Sequence, residues 1–486
     1  MVVRWEAGNV VPGRGRVYRR GRADLGGAGC YRSAVHLFLL GAGHVGLVTA
    51  VGFVRMGHTV TVADLDRARI DGLNAGHPPL FEPGLTEAIA AGLADGTLSF
   101  TTELDPPLDT RFTFVCVSTP TGPDGPLSTV NVEAAVERLL GVADREHTIV
   151  VRSTLPLDGP ARLAALAAGR PDRASIVTNP EFMREGQGLA DFDNPNRVVA
   201  GWIEPRDEPA ARAVVDLYAP LGAPSLVADA PSVALIKLGS NVFLGTKLAF
   251  ANELARLADA TGADIEMVIA GIGLDSRIGT AFMQPGPGIG GSCLPEQAIA
   301  IALETAARNV EAPLLSAVHR SNGVHQRQIV ARLEQLLGGP GSLAGSRIAL
   351  LGLAFKANTD DVRESPALAL AATMRAAGAV VRSHDPRAER RALLADPELS
   401  IAASPQEALE GADAVVVATE WSDYAQLDWT AAAAAMRGNL VYDTRAIVDL
   451  AAARAAGLHV ERLGRPGDDA PARAVRRPAT ASPGDA

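Results

Sequence analysis

The sequence predicts an α/β protein with two Rossmann-like, doubly wound parallel-sheet domains, joined by a long central helix and a helical middle domain. Three observations carry this. The stretch "HLFLLGAGHVGLVTAVGFVRMGHTVTVADLD" reads as strand, glycine turn, helix, strand and closing acid. Short apolar strands then alternate with helical pattern, as in a parallel sheet covered on both faces. After a long helical stretch the strand–loop–helix–strand order restarts at "SRIALLGLAFKANTDDVRESPALALAATMRAAGAVVRSHDP".

In the first unit "HLFLL" is a strand, and Gly41, Gly43 and Gly46 form G-x-G-x-x-G at the turn into a helix that ends at Gly57. "TVTVAD" is the next strand, and Asp64 closes it eighteen residues after Gly46. Further strands fall at "RFTFVCVS" (111–118), "HTIVVRS" (147–153) and "ASIVTNPEF" (from 174). The spacing predicts one helix over 231–262, roughly 45 Å long, fit to bridge domains or form a dimer seam. "GGPGSLAG" (338–345) is a linker or turn. "ADAVVVATEW" and "GNLVYDTRA" add parallel strands to the second unit, which lacks the three-glycine turn and so is expected to bind something other than the dinucleotide. The expected domains are 34–228 for the dinucleotide, 229–337 for the helical middle and 338–465 for the second Rossmann-like unit. Residues 1–33, rich in Arg and Gly, read as a disordered arm or a start placed too far upstream, and 466–486 as a disordered tail.

Composition bounds the function. A chain of 486 residues is expected to hold two or three domains. Only 4% of residues are aromatic while Ala and Gly abound, which favours helix-rich α/β packing over a β-sandwich. A net charge of −10 without a basic stripe argues against nucleic acid. Cys30, Cys116 and Cys293 are too few and too scattered for a disulfide framework or a metal site, so no metal and a reducing, cytoplasmic compartment are expected. No run of 18 apolar residues appears, so no membrane span is predicted.

Several residues suit chemistry. Asp64 can accept hydrogen bonds from ribose hydroxyls and repel a 2′-phosphate, which favours NAD over NADP; its other reading is a solvated strand-end acid. Cys293 follows "FMQPGPGIGGS" and precedes Pro295, so a helix N-terminus there would favour the thiolate. On pattern alone a buried core cysteine fits as well, and the glycine run suits either close approach of a ligand or a flexible surface loop. Cys116, inside an apolar strand, reads as core. Lys237 and Asn241 share a helix face among apolar neighbours; the lysine can stabilise an alkoxide or run its stem to the surface. "NPEFMREG" (179–186), with Glu181 and Glu185, and "RST" (152–154) lie at the strand ends where such sheets bind ligands. Lys356 and Arg363 in "FKANTDDVRESP" suit phosphate or carboxylate, or are plain surface charges.

Together "GAGHVG", "STPTGPDG", "RSTLP", "NPEFMREG", "IKLGSN", "LDSRIG", "PGPGIGGSC", "LAFKANTDDVRESP" and "YDTRA" resemble the UDP-glucose/GDP-mannose dehydrogenase family over residues 36–462. The resemblance implies oxidation of the C6 alcohol of a nucleotide sugar to a carboxylate with two NAD in succession, UDP-glucose going to UDP-glucuronate. It implies Cys293 as the thioester-forming nucleophile, Lys237 and Asn241 at the reacting C6 oxygen, and Thr154 and Glu181 positioning water and assisting proton transfer. For NAD it implies Gly41, Ala42, Gly43, His44, Val45 and Gly46, then Asp64 and Arg69, then Ser118, Thr119, Pro120, Thr121 and Thr154, with Glu185 and Arg363. For the sugar nucleotide it implies Phe182, Met183, Arg184 and Glu185; Gln284, Gly286, Gly288, Ile289 and Gly290; and Phe355, Lys356 and Arg445. Arg277 resembles an arginine offered to the neighbouring subunit's substrate, which implies at least a homodimer.

Two positions depart from the family's Cys-x-Pro-Lys-Asp, since the chain reads Cys293-Leu294-Pro295-Glu296-Gln297. Here Gln297 replaces the aspartate that activates water, and an amide orients a water without taking its proton. Glu296, one position earlier, points about 100° away on a helix. The expectation is acid formation through Thr154, Glu181 and Lys237. The alternatives are a form stalled at aldehyde or thioester and a non-catalytic sugar-nucleotide-binding homologue. UDP-glucose is the expected substrate, with GDP-mannose or dTDP-glucose as alternatives, and Ser292 argues against N-acetylated sugars.

Overall fold

The computed structural model describes residues 34–120, 127–170 and 172–465, with the backbone of 16–18. The expected tail at 466–486 and Thr121 lie outside the described residues. So does the expected arm at 1–33 except for Arg16–Tyr18, which form an edge strand rather than disordered chain. By its contacts the chain divides into two compact units, residues 1–241 with 299–311, and 242–298 with 312–486.

The first unit holds a nine-stranded sheet. Its strands are β1 (Arg16–Tyr18), β2 (His36–Leu40), β3 (Thr59–Ala63), β4 (Leu98–Thr101), β5 (Phe112–Val115), β6 (Thr148–Val151), β7 (Ser175–Thr178), β8 (Val198–Trp202) and β9 (Ser225–Asp229), in the order β1-β9-β8-β7-β6-β5-β2-β3-β4. From β4 to β7 every neighbour is parallel, with Leu37 opposite Val60 and Phe112. Every residue of β5 and β6 is buried, Thr113 and Thr148 included, so these strands read as near-continuous apolar runs and not as alternating ones. β8 and β9 run parallel to each other and antiparallel to β7, and β1 pairs antiparallel with β9. The order reverses between β2 and β5, which places a ligand crevice beyond the carboxyl ends of those two strands.

The second unit repeats the plan with six parallel strands: β10 (Arg347–Leu351), β11 (Val380–His384), β12 (Ser400–Ile401), β13 (Ala414–Val417), β14 (Leu440–Asp443) and β15 (His459–Arg462). Their order is β12-β11-β10-β13-β14-β15, with the reversal between β10 and β13. Its core gathers β10, β13 and β14 around Leu350, Val415 and Val441, all fully buried.

The predicted long helix is Ala230–Thr261. Counting consecutive apolar residues does not flag it, yet it is the one described helix with the length and mean hydropathy of a membrane span. Glycine and polar residues interrupt its apolar run, and it carries buried Lys237, Asn241 and Asn252. Six strands escape the sequence reading: β1, β4, β8, β9, β12 and β15. β4 buries only alternate residues, and β8 and β9 extend the sheet past an antiparallel step that the alternating pattern does not announce.

Candidate active site

In the first unit the three glycines of the phosphate turn differ in what surrounds them. A Cβ on Gly41 would lie 2.7 Å from the Cys116 carbonyl oxygen, and one on Gly46 would lie 1.9 Å from the Gly41 oxygen. Backbone packing alone therefore forbids side chains at both. A Cβ on Gly43 would meet nothing within 4 Å, so the space over the N-terminus of the helix His44–Arg55 is open for a phosphate to approach the backbone. Asp64 stands at the end of β3. Its Oδ2 accepts from Ala42 N at 2.8 Å and from Arg69 Nη1 at 2.9 Å, and its Oδ1 accepts from Asp66 N at 2.9 Å. Burial pushes the carboxyl up, but the Asp66 and Ala42 amides and Arg69 outweigh it and hold it below the usual range. The ionised carboxylate keeps acceptor capacity for a ribose hydroxyl, so this turn fits NAD. Ser118 follows β5, and Asn131 donates to its carbonyl at 3.1 Å.

Beyond β7 the "NPEFMREG" stretch meets the long helix. Lys237 Nζ donates to the Glu181 carbonyl at 2.6 Å and to its Oε1 at 2.8 Å, and Oε2 accepts from Met183 N at 2.6 Å. Both side chains are buried, so the alternative of a lysine reaching the surface is overturned: the carboxylate gives it a partner inside. Burial alone would raise the Glu181 carboxyl, and Lys237 brings it below its ordinary value. Phe182 carries Lys237 Nζ 5.4 Å from its ring centre and the Arg197 guanidinium at 3.8 Å. Arg197 also donates to Ser240 at 3.0 Å, one residue before the buried Asn241. Arg152 bonds Thr49 and Asn179, and so ties β6 to the phosphate-turn helix and to the start of "NPEF". Thr154 follows β6, half-buried. Arg184 is forked onto Asp191.

In the second unit the glycine run is pinned, which overturns the reading as a flexible surface loop. Gly286 N donates to Asn252 Oδ1 at 3.0 Å, and the two polar atoms of Asn322 hold Ile289 N and O at 2.8 and 2.9 Å. A Cβ on Gly290 would lie 2.7 Å from Pro366 and 2.8 Å from Phe355, and one on Gly291 would lie 2.9 Å from the Phe355 ring. These glycines exist so that the loop can lie against the turn after β10. Cys293 is half-buried two residues ahead of Pro295, the first residue of the helix Pro295–Ala307. Gln297 is buried, while Glu296 is half-buried; burial raises its carboxyl, with Arg363 opposing and Glu364 and Asp361 adding. The two side chains therefore part company on the helix as their spacing predicts.

Lys356 Nζ stands 5.6 Å from the Phe355 ring centre. Arg445 Nη2 donates to Phe355 O at 2.8 Å and its Nε to Ala418 O at 2.9 Å. A Cβ on Gly286 would lie 3.1 Å from Arg445 Nη1, so Arg445 and the glycine loop share one place. Arg363 is forked onto Asp361, also on this second sheet's loops. Arg277, with an 85% exposed side chain, is forked onto Asp275 on an outer loop. Gln284 lines a small cleft with Glu266, Thr444 and Arg462.

The sequence reading missed Glu82, Arg197, Asn252, Asn322 and His325, and took in Arg152 only as the start of "RST"; all of them hold the site segments through contacts distant in the chain. His325 is fully buried: Arg256 Nη1 donates to its Nδ1 at 3.0 Å, so Nε2 carries the proton and donates to Gly286 O at 2.7 Å. Burial pushes its pKa down to about 4, opposed by the Gly286 carbonyl. The unfolded chain takes up this proton near pH 6.5 and the fold does not, so the contribution is full above pH 6.5 and is lost as pH falls towards 4. Thermal unfolding followed over that range is expected to show this loss, and His325→Asn to flatten it.

The comparisons agree with this architecture. The NAD binding domain of the UDP-glucose/GDP-mannose dehydrogenase family matches residues 35–222, its central domain residues 232–323 and its UDP binding domain residues 349–450. The chain is 36% identical to the UDP-glucose 6-dehydrogenase YwqF of Bacillus subtilis, over 89% of this chain and 98% of that protein. It is 35% identical to the UDP-glucose 6-dehydrogenase of Rhizobium meliloti, over 88% and 99% of the two chains. A UDP-glucose dehydrogenase structure from Pyrobaculum islandicum superposes with a TM-score of 0.79 at 36% identity, over 91% of this chain and all of that one. A phosphate turn open at Gly43, a strand-end acid for the ribose and a second sheet matching a UDP-binding domain therefore converge: the chain is an NAD-dependent dehydrogenase acting on nucleotide sugars and belongs to the UDP-glucose/GDP-mannose dehydrogenase family.

Proposed function

We propose that the chain oxidises the C6 hydroxymethyl group of UDP-glucose to the carboxylate of UDP-glucuronate through a covalent intermediate on Cys293. The observation that carries this reading is the buried Lys237–Glu181 pair, one helical turn from Asn241. Glu181 holds the Lys237 Nζ in place as a hydrogen-bond donor suited to an oxygen that becomes negative. The base and sugar follow the UDP-glucose relatives named above. Residues 34–228 would hold the cofactor and 338–465 the nucleotide, with Phe355, Lys356 and Arg445 at the latter.

Bound NAD supplies the hydride acceptor for each of two oxidations. In the first, the C6 alcohol loses a hydride and its hydroxyl proton, and Lys237 and Asn241 stabilise the oxygen. The Cys293 thiolate then adds to the aldehyde carbon and the oxygen takes a proton, giving a thiohemiacetal. Loss of a second hydride and that proton gives a thioester. Water positioned by Thr154 and Glu181 adds to the thioester carbonyl, the C–S bond breaks, the thiolate leaves, and the carboxylate forms with release of protons.

Phe243, Phe250 and Leu257 are exposed at seven-residue intervals on the long helix, a seam that supports a homodimer. Among the described residues Cys293 forms no disulfide, which suits a reducing, cytoplasmic setting.

The test is the NADH yield from limiting UDP-glucose with excess NAD. Two NADH per sugar are expected. One per sugar would favour the stalled form, for which the buried amide of Gln297 is the specific reason, and Gln297→Asp would then restore the second. No NADH from any of UDP-glucose, GDP-mannose or dTDP-glucose, in protein that binds NAD, would leave a non-catalytic homologue.

A further inference from the structure

Glu82 lies between the helices Arg67–Asn74 and Leu85–Asp95, in "FEPGL". Its side chain is 1% exposed. Three donors meet its carboxylate, each at 2.7 Å: His44 Nε2 and Gly186 N on Oε2, and Gly188 N on Oε1. A carboxylate so deeply buried requires a balancing charge, and His44 is the basic group paired with it. His44 opens the helix His44–Arg55, next to Gly43 in the phosphate turn. Gly186 and Gly188 follow Glu181 and Glu185 in the chain. One carboxylate therefore ties the turn that faces the cofactor phosphates to the segment that carries the partner of Lys237. The fit is close: a Cβ on Gly188 would lie 3.3 Å from His44 Cε1 and Nε2.

We propose that Glu82 is a positioning residue for the cofactor. It acts through a protonated His44 and clamps the 186–188 turn onto the head of the phosphate-binding helix, so that NAD binds best while that proton is held. The charged groups facing His44 are Glu82 from its own loop and Glu185 and Glu181 from the segment after β7, Glu181 being paired in turn with Lys237. Burial opposes the imidazolium. The bond to Glu82 and the fields of Glu185, Glu82 and Glu181 outweigh burial, so the ring titrates above its ordinary range. The charge is thus present at low pH and lost as pH rises through the raised value. A neutral ring still donates to Glu82, but without the charge that made the bond strong.

The experiment is calorimetric titration of the full-length protein with NAD from about pH 6 to about pH 9, the range over which a histidine raised above its ordinary value changes charge. Wild-type affinity is expected to weaken about tenfold as pH rises, the worth of one charge-assisted hydrogen bond. His44→Gln keeps a neutral donor. It is expected to bind at the weak level throughout, with no slope, and to melt near the wild-type temperature. Glu82→Gln is expected to lose the slope as well, and if that variant does not fold, His44→Gln alone decides. Wild-type affinity constant across the range would overturn the proposal, as would a slope that survives in His44→Gln. A purely structural role for Glu82 would lower the melting temperature and leave the slope in place.

Discussion

Lys237→Met is expected to lower kcat by roughly three orders of magnitude and to cost about 3 to 5 kcal/mol of stability. The stability loss comes from what is left behind. Glu181 is buried and has Lys237 as its paired cation, and with the ammonium gone the carboxylate faces a medium that cannot solvate it. It answers by taking a proton, which reverses its pH signature. In the wild type its depressed value contributes stability that is present above about pH 4.5 and lost as pH falls through the folded value. In Lys237→Met the folded value lies above the unfolded one, so melting temperature falls as pH rises from acid towards neutral. Adding Glu181→Gln removes the orphaned charge and is expected to recover most of the stability without recovering turnover. A double variant that regained kcat along with its melting temperature would show that Lys237 serves the fold and not the C6 oxygen.

Cys293→Ser is expected to leave NAD binding intact and to reduce acid formation at least about 10³-fold. A hydroxyl at neutral pH offers almost no anion, whereas a thiol near its ordinary value is a few per cent thiolate. Position decides which thiol serves. Cys293 is half-exposed just ahead of a helix N-terminus, where backbone N–H groups favour the anion. Cys116 is packed against Gly41, and burial pushes its thiol up to about 12. Protein quenched during turnover should carry the mass of the sugar nucleotide in the wild type and none in the variant. NADH in the variant should stop at or below one per sugar. An unchanged yield of two NADH would remove Cys293 from the reaction.

The elements that repeat with a period were legible in advance. β2, β3, β5, β6 and β7, the phosphate turn and the long helix all announce themselves through apolar runs and glycine spacing. Their positions differ from expectation by a few residues at the ends, since the outer residues of "RFTFVCVS" and "HTIVVRS" leave the ladder at the crevice. What stayed hidden depends on contacts between distant segments. "FEPGL" looks like a surface turn until Glu82 is seen under Gly186 and Gly188. "RSNGVHQRQ" looks like a polar helix face until Asn322 and His325 are found gripping the glycine loop. Lys237 could be noticed as a polar intrusion in an apolar helix, but its partner 56 residues away could not be read from any local pattern.

The glycines of the phosphate turn also bear on how such a chain can drift. Gly41 and Gly46 are held by the protein's own backbone, and any descendant that still folds must keep them. Gly43 borders open space, so only a ligand polices it. A lineage that abandoned the dinucleotide would be released at this middle position first, while the outer pair persisted as an inheritance of the fold. The middle glycine is therefore the place where loss of the cofactor would first be written into the sequence.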